Sequence, residues 1–134
     1  MSIFITKTDF SFFYVKNIVD SNNNLKKTFR YFDSRDEACF NNHFYHFILN
    51  DPDPVGYGHL DYDDGRMWLG MCVFDSYVGR GYGKLIFETL IDNRESHSLH
   101  LTVDKDNFKA INLYLSNGFK IYKQTERIFY CKLD

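Results

Sequence analysis

Three glycines within five residues, Gly79-Arg80-Gly81-Tyr82-Gly83, flanked by Val78 and Lys84, are the residues of this chain whose types and spacing point most directly at a ligand. Glycine lets the backbone take a positive φ and come close to a bound group. Where such a turn opens a helix, the free N–H groups of the first helical turn and the helix dipole attract an anion. Arg80 and Lys84 add positive charge on the same turn. Phosphate or pyrophosphate binding is the chemistry implied. Two better-known motifs do not fit. A nucleotide P-loop needs Gly where Val78 stands and a hydroxyl where Leu85 stands, and the dinucleotide fingerprint needs a third glycine where Lys84 stands.

The elements around the turn must be those that present a helix N-terminus beside a sheet. Val55 to Leu60 and Met67 to Phe74 read as strands joined through the acidic Asp61–Arg66 turn, with Asp64-Gly65 inside it. From Gly81 to Asn93, small or apolar residues at 83, 86, 87, 90 and 91 form the stripe of an amphipathic helix. Leu99 to Val103 follows as a strand. A second helix from Asn107 to Ser116 ends at a left-handed Asn117-Gly118 cap, and Phe119 to Tyr122 and Ile128 to Leu133 are the last strands. In the first part, Ser2 to Tyr14 reads as a strand or a pair of strands, 20–24 as a turn and Leu25 to Phe32 as a strand. Ser34 and Glu37 read as the capping box of a helix running to Leu49, stopped by Asp51-Pro52-Asp53-Pro54.

On the second helix Asn107, Ala110, Ile111 and Tyr114 share one face. With Asn117-Gly118-Phe119 behind them, residues 103–119 resemble the second signature of the Gcn5-related N-acetyltransferase family, and residues 73–84 resemble its first, the glycine turn after a central strand. The resemblance covers Val55 to Phe119. It implies an α/β (α+β) fold with a strongly twisted mixed sheet of about six or seven strands, flanked by about three or four helices, whose central strands splay apart. It also implies one N-acetyltransferase domain over residues 1–134, with acetyl-CoA as cosubstrate and no metal.

On this resemblance the pyrophosphate lies on Val78, Gly79, Arg80, Gly81, Tyr82, Gly83 and Lys84, the pantetheine arm pairs with Cys72, Val73 and Phe74, and Asn107 contacts the cofactor. Tyr114 matches the tyrosine that protonates the leaving thiolate. Val78 stands where the family often has Arg or Gln, so charge must come from Arg80 or Lys84. The acceptor amine must lose a proton before it attacks. For a lysine-like amine this costs roughly 4–5 kcal/mol at neutral pH, and His59, Asp61 and the Asp63-Asp64 turn are the candidate bases. His43 and His46 are expected on the cover of the acceptor site and, like His97 and His100, make no recognised metal motif.

The stretches 55–62 and 68–73 are similar to acetyltransferases acting on amino sugars. A nucleotide-linked amino sugar is therefore the first acceptor expected. A small amine, an amino acid or a protein amino group is the competing one, and a non-catalytic acyl-CoA-binding or regulatory module is the reading from another class.

Bulk properties narrow the partners. The chain has 134 residues, 44% hydrophobic and 25% charged, which suits one globular domain. A net charge of -2 gives no basic face for a nucleic-acid backbone. The apolar run Met67–Phe74 is too short to cross a bilayer and no signal-peptide pattern opens the chain, so neither membrane nor nucleic acid is expected as partner and the location expected is cytoplasmic. Cys39, Cys72 and Cys131 are odd in number and unpaired in spacing, which suits a reducing compartment. Aromatic residues make up 19% of the chain, which must build a core of large rings, with some lining a cleft or a subunit contact; a homodimer is expected from that surplus and from family habit.

Overall fold

Alternation and one tight turn build the centre of the molecule. The computed structural model describes residues 3–134. In it β3 (Pro54–Asp63) and β4 (Arg66–Val73) form the expected hairpin, with Asp64 and Gly65 both at positive φ, 53° and 73°, as a primed two-residue turn demands. β1 (Phe4–Thr6) and β2 (Tyr45–Asn50) extend the sheet on one side. β5 (Leu99–Asp104), β6 (Lys120–Gln124) and β7 (Ile128–Leu133) extend it on the other, giving the order β1-β2-β3-β4-β5-β7-β6. Every pairing is antiparallel except β4 with β5, which is parallel and is made only at Met67↔Leu99 and Trp68↔His100. Beyond Trp68 the two strands diverge, which is the expected splay.

Helices cover both faces. α5 (Tyr82–Asp92) and α6 (Phe108–Ser116) pack on one, where Phe47, Leu60, Leu69, Ile86, Leu90 and Leu101 form a core with each residue at most 6% exposed. α1 (Phe12–Asp20), α2 (Leu25–Thr28), α3 (Tyr31–Ser34) and α4 (Glu37–Asn41) cover the other. The aromatic surplus gathers there: Phe12, Phe32, Phe40 and Tyr57 are buried with Cys72 and Phe74.

The first 50 residues depart from the sequence expectation. β1 is short, and Ser11 caps α1 by accepting from the Tyr14 N–H at 3.1 Å, so Tyr14 is helical and not extended. The segment expected as a strand from Leu25 to Phe32 forms the two helical turns α2 and α3, because the Asp75 carboxylate accepts from Asn24 N and Leu25 N at 3.0 Å each, a contact spanning about fifty residues. The expected helix to Leu49 stops at Asn41. Its cap is Asp36, which accepts from Cys39 N, and not Ser34. Tyr45–Asn50 is a strand filled on both faces, and such a strand shows a continuous apolar run that periodicity cannot tell from a buried helix. Among the described residues no helix is long and apolar enough to cross a membrane.

Ile86 locks α5 onto β3: a Cβ at Gly56 would stand 2.6 Å from its Cδ1, and one at Gly58 2.8 Å from its Cγ2. Its side chain is fully buried. Ile86→Ala is expected to lower the unfolding free energy by about 2–5 kcal/mol, and Ile86→Val by about 0.5–1.5, in urea titration. An unchanged midpoint for Ile86→Ala would contradict this packing.

Candidate functional site

The splay opens a cleft of about 1070 Å³ that runs from the glycine turn, between β4 and β5, to the hairpin end of the sheet. At the first end, β4 passes through a 3₁₀ turn, Asp75–Tyr77, into the glycines and then into α5. Gly79 and Gly81 take φ of 80° and 88°, values that disfavour any side chain, and a Cβ at either would meet nothing within 4 Å. Gly81 is the N-cap residue, and with no side chain on the cap the first N–H groups of α5 stay free. Tyr82 donates its hydroxyl proton to the Asp51 carboxylate, which ties this first turn to the β2–β3 turn. A backbone cradle backed by a helix N-terminus, with Lys84 beside it, suits a pyrophosphate.

Of the residues singled out from the sequence, Cys72, Val73, Val78, Gly79, Gly81, Tyr82, Gly83, Lys84, Asn107, Tyr114, His59 and Asp61 all line this one cleft. Phe74 and Arg80 do not. The Phe74 ring is buried and its N–H donates to Val55 O, while the Arg80 guanidinium lies over the Tyr77 ring at 5.5 Å. Val78 is 60% exposed. Asn107 caps α6 by accepting from Ala110 N at 3.3 Å. Tyr114, from α6, sits against Phe87 and Phe119 with its phenol reaching the cleft, and burial raises its pKa, so the hydroxyl keeps its proton. Asp63 is paired with Arg35 at 3.2 Å, and Asp64 is in the turn outside the cleft lining. His43 and His46 are not on a helix. They lie in the α4–β2 connection and on β2.

β3 alternation places Tyr57, His59 and Asp61 on the face under α1–α4. His59 crosses β4 at Gly70, where a Cβ would collide with its Nε2. Its Nδ1 bonds Tyr57 Oη at 3.1 Å; Tyr57 Oη is 3.3 Å from His43 Nδ1; His43 Nδ1 is 3.0 Å from His46 Nδ1; and His43 Nε2 is 2.6 Å from Tyr31 Oη. Sequence reasoning missed Tyr31, Tyr57 and Gly70. The Tyr57-x-His59-x-Asp61 spacing was the available signal for Tyr57. Tyr31 and Gly70 had none, because their roles depend on contacts between distant segments.

Burial dominates the electrostatics of this group. It pushes His59 well below the ordinary histidine value, with His43, His46 and Arg35 adding to the effect, and it brings His43 down to about 3. Burial also lowers His46 and raises the Asp61 carboxyl, whose neighbour Asp63 pushes it further up. The imidazoles are therefore neutral at physiological pH, and burial makes each a weaker base than a free imidazole. Among the described residues no group of three His, Cys, Asp or Glu side chains is arranged to hold a metal.

The acetyltransferase (GNAT) family model matches residues 11–119. Among solved structures, the ribosomal-protein-S18-alanine N-acetyltransferase from Escherichia coli superposes with a TM-score of 0.70 at 19% identity, over 98% of this chain and 92% of that one. The IAA acetyltransferase from Bacillus cereus gives 0.74 at 12% identity, over 98% and 99%. The spermidine N-acetyltransferase from Vibrio cholerae, in complex with CoA and spermine, gives 0.73 at 15% identity, over 98% and 95%. At such identities the likeness is one of fold. No curated protein gives a significant sequence match.

The histidine cluster makes stability depend on pH. The folded values lie below the unfolded one, so from about pH 6.5 downward the unfolded chain binds protons that the native one refuses, and stability falls as pH falls. Urea midpoints should be level between about pH 7 and 8 and drop between pH 6.5 and 5, with each refused proton worth about 1.4 kcal/mol per pH unit and Asp61 opposing part of it. His43→Gln should flatten the drop. A midpoint constant from pH 7 to 5 would mean that these imidazoles are not held neutral.

Proposed function

The chain belongs to the acetyltransferase (GNAT) family, and we propose that this acyl-CoA-dependent N-acetyltransferase moves the acetyl group of acetyl-CoA onto the amino group of a nucleotide-linked amino sugar. The observation that carries the reaction is the single cleft, which joins an anion cradle at Gly79–Gly83 to a proton acceptor, His59, and a proton donor, Tyr114. The cradle suits the pyrophosphate because the space beside Gly79 and Gly81 is open and no side chain caps the N-terminus of α5. In the splay, backbone of β4 beyond Trp68 has no strand partner on the β5 side, which suits an arm carrying amides of its own.

The acceptor arrives as an ammonium near Asp61, which makes no ion pair among the described residues. His59, whose unprotonated ring lines the same cleft, takes one proton from the nitrogen. The amine nitrogen then attacks the thioester carbonyl, the C–N bond forms, the C–S bond breaks as Tyr114 gives its proton to the sulfur, and the nitrogen's second proton restores the Tyr114 hydroxyl, leaving an amide and a thiol. Trp68 and Tyr31 also line the acceptor end and can stack on a base or sugar ring. A second reading, a polyamine or peptide amine, is favoured by the acidic pair Asp61 and Asp63 at that same end.

Calorimetry with acetyl-CoA, followed by thiol release with a UDP-linked amino sugar, spermidine and an alanyl peptide, tests this proposal. Turnover should be highest with the amino sugar; turnover only with spermidine or peptide selects the second reading. Gly81→Val should cost at least tenfold in acetyl-CoA affinity through its positive φ. Tyr114→Phe should lower kcat by about 10²-fold while affinity stays within about threefold. Binding without turnover for any acceptor would make the chain a binding module instead.

A further inference from the structure

Past the acceptor end of the cleft, the sheet carries an open face that neither core uses. Among the described residues, the core beneath α1–α4 takes side chains from β2, β3 and β4 but none from β5, β6 or β7. On those strands Leu99, Leu101, Val103 and Cys131 point into the other core, so alternation turns His100, Thr102, Tyr130 and Lys132 onto this face. A bulge in β6 between Ile121 and Lys123 adds Tyr122 beside His100. Thr102, Tyr122 and Lys132 are exposed.

The rings of this face form a connected row. Trp68, held by its indole N–H donating to Asp63 O at 3.2 Å, is 5.4 Å from His100 between centroids. His100 is 5.6 Å from Tyr122, with its Nδ1 3.2 Å from Tyr122 Oη, and Tyr122 is 6.3 Å from Tyr130. Cations accompany the rings. The register Trp68↔His100, His100↔Lys132 and Lys120↔Lys132 sets two lysines in line with the first two rings, and Lys123 lies over the Tyr130 ring at 4.9 Å. Arg66, two residues before Trp68 on β4, shares its face. Burial lowers the His100 pKa, and Arg66 and Lys132 lower it further against the opposing Asp134 carboxylate, so the local field is positive. Wet rings with cations among them suit a ligand that is aromatic and anionic at once.

We propose that this open face seats the nucleoside diphosphate of the acceptor, with the sugar ring at Trp68, the diphosphate over His100 and Lys132, and the base against Tyr122. This rests on the amino-sugar reading above and extends the acceptor site outward from the amine. Trp68, Thr102 and Tyr130 belong to the face and also line the cleft that holds His59 and Asp61, so the two surfaces are continuous. From β4 across β5 and β7 to β6 the row spans about 14 Å at the usual strand spacing, far more than a sugar ring alone would use. The glycine cradle lies at the other end of the cleft, which leaves this seat free while CoA is bound. The same cations repel a polyamine or a basic peptide, so the face selects the nucleotide-linked acceptor over those competitors.

Calorimetry with UDP on protein saturated with CoA tests the seat, because bound CoA keeps UDP out of the glycine cradle. Stacking tolerates any base, so UDP serves for the class. UDP should bind, and inorganic pyrophosphate should bind at least about tenfold more weakly for want of a base. Emission from Trp68, the chain's one tryptophan, should change as UDP is added. Tyr122→Ala, on the exposed edge strand β6, should weaken UDP at least about fivefold, and Lys132→Glu at least about tenfold. KM for the UDP-linked amino sugar should rise in step, while acetyl-CoA affinity stays within about twofold. Absence of UDP binding, pyrophosphate binding as tight as UDP, or UDP binding that neither variant weakens would overturn the seat. A dimer that Lys132→Glu dissociates would give the face to a second copy of the chain instead. UDP binding with both variant effects but no transfer to the amino sugar would overturn the acceptor reading and leave the nucleotide seat standing.

Discussion

Strands β4 and β5 share only the Met67↔Leu99 and Trp68↔His100 pairings, and the rest of the site follows from that early parting. A sheet interior normally satisfies every N–H and C=O, and a gap inside one leaves donors and acceptors that must find another partner. Each of the two strands keeps a complete antiparallel neighbour on its far side, β3 for β4 and β7 for β5. The sheet can therefore tolerate the gap without losing its core. α5 and α6 close the gap from one face, so that it becomes a cleft with backbone along its walls and a helix N-terminus at its mouth.

The second face explains the composition. Aromatic residues are concentrated under α1–α4, where short helical turns cannot bury much area per residue, and large rings compensate for the lack of regular helix packing. Among those rings sit imidazoles and phenols whose hydrogen bonds are satisfied by each other. Low polarity around them keeps the imidazoles uncharged and the phenols protonated. Gly70 completes the arrangement by leaving room for His59 to cross β4 towards the cleft.

Across the cleft, Arg30 grips Asp104 through two bonds of 2.7 and 3.1 Å, linking the α2–α3 connection to the end of β5. The pair is partly exposed, and pairs of that kind contribute at most about 1 kcal/mol. It can hold the two walls in place without sealing them.

From the sequence alone, the second half of the molecule was legible down to its turns. The Asp64-Gly65 hairpin, the glycine turn, the stripe of α5, the Asn107 start of α6 and the left-handed Gly118 all follow from local backbone chemistry that neighbouring residues decide. The resemblance carried by residues 73–84 and 103–119 led to the family for the same reason, since its signatures are local. The first half was decided by contacts between distant segments. Asp75 caps α2 from about fifty residues away, and β2 is a strand because β1 and β3 pair with both its edges while helices cover both its faces. The assembly of Tyr31, His43, His46, Tyr57 and His59 belongs to that second category: spacing within β3 set Tyr57 and His59 on one face, but only the packing of α3, α4 and β2 against it brought the other rings within hydrogen-bonding distance.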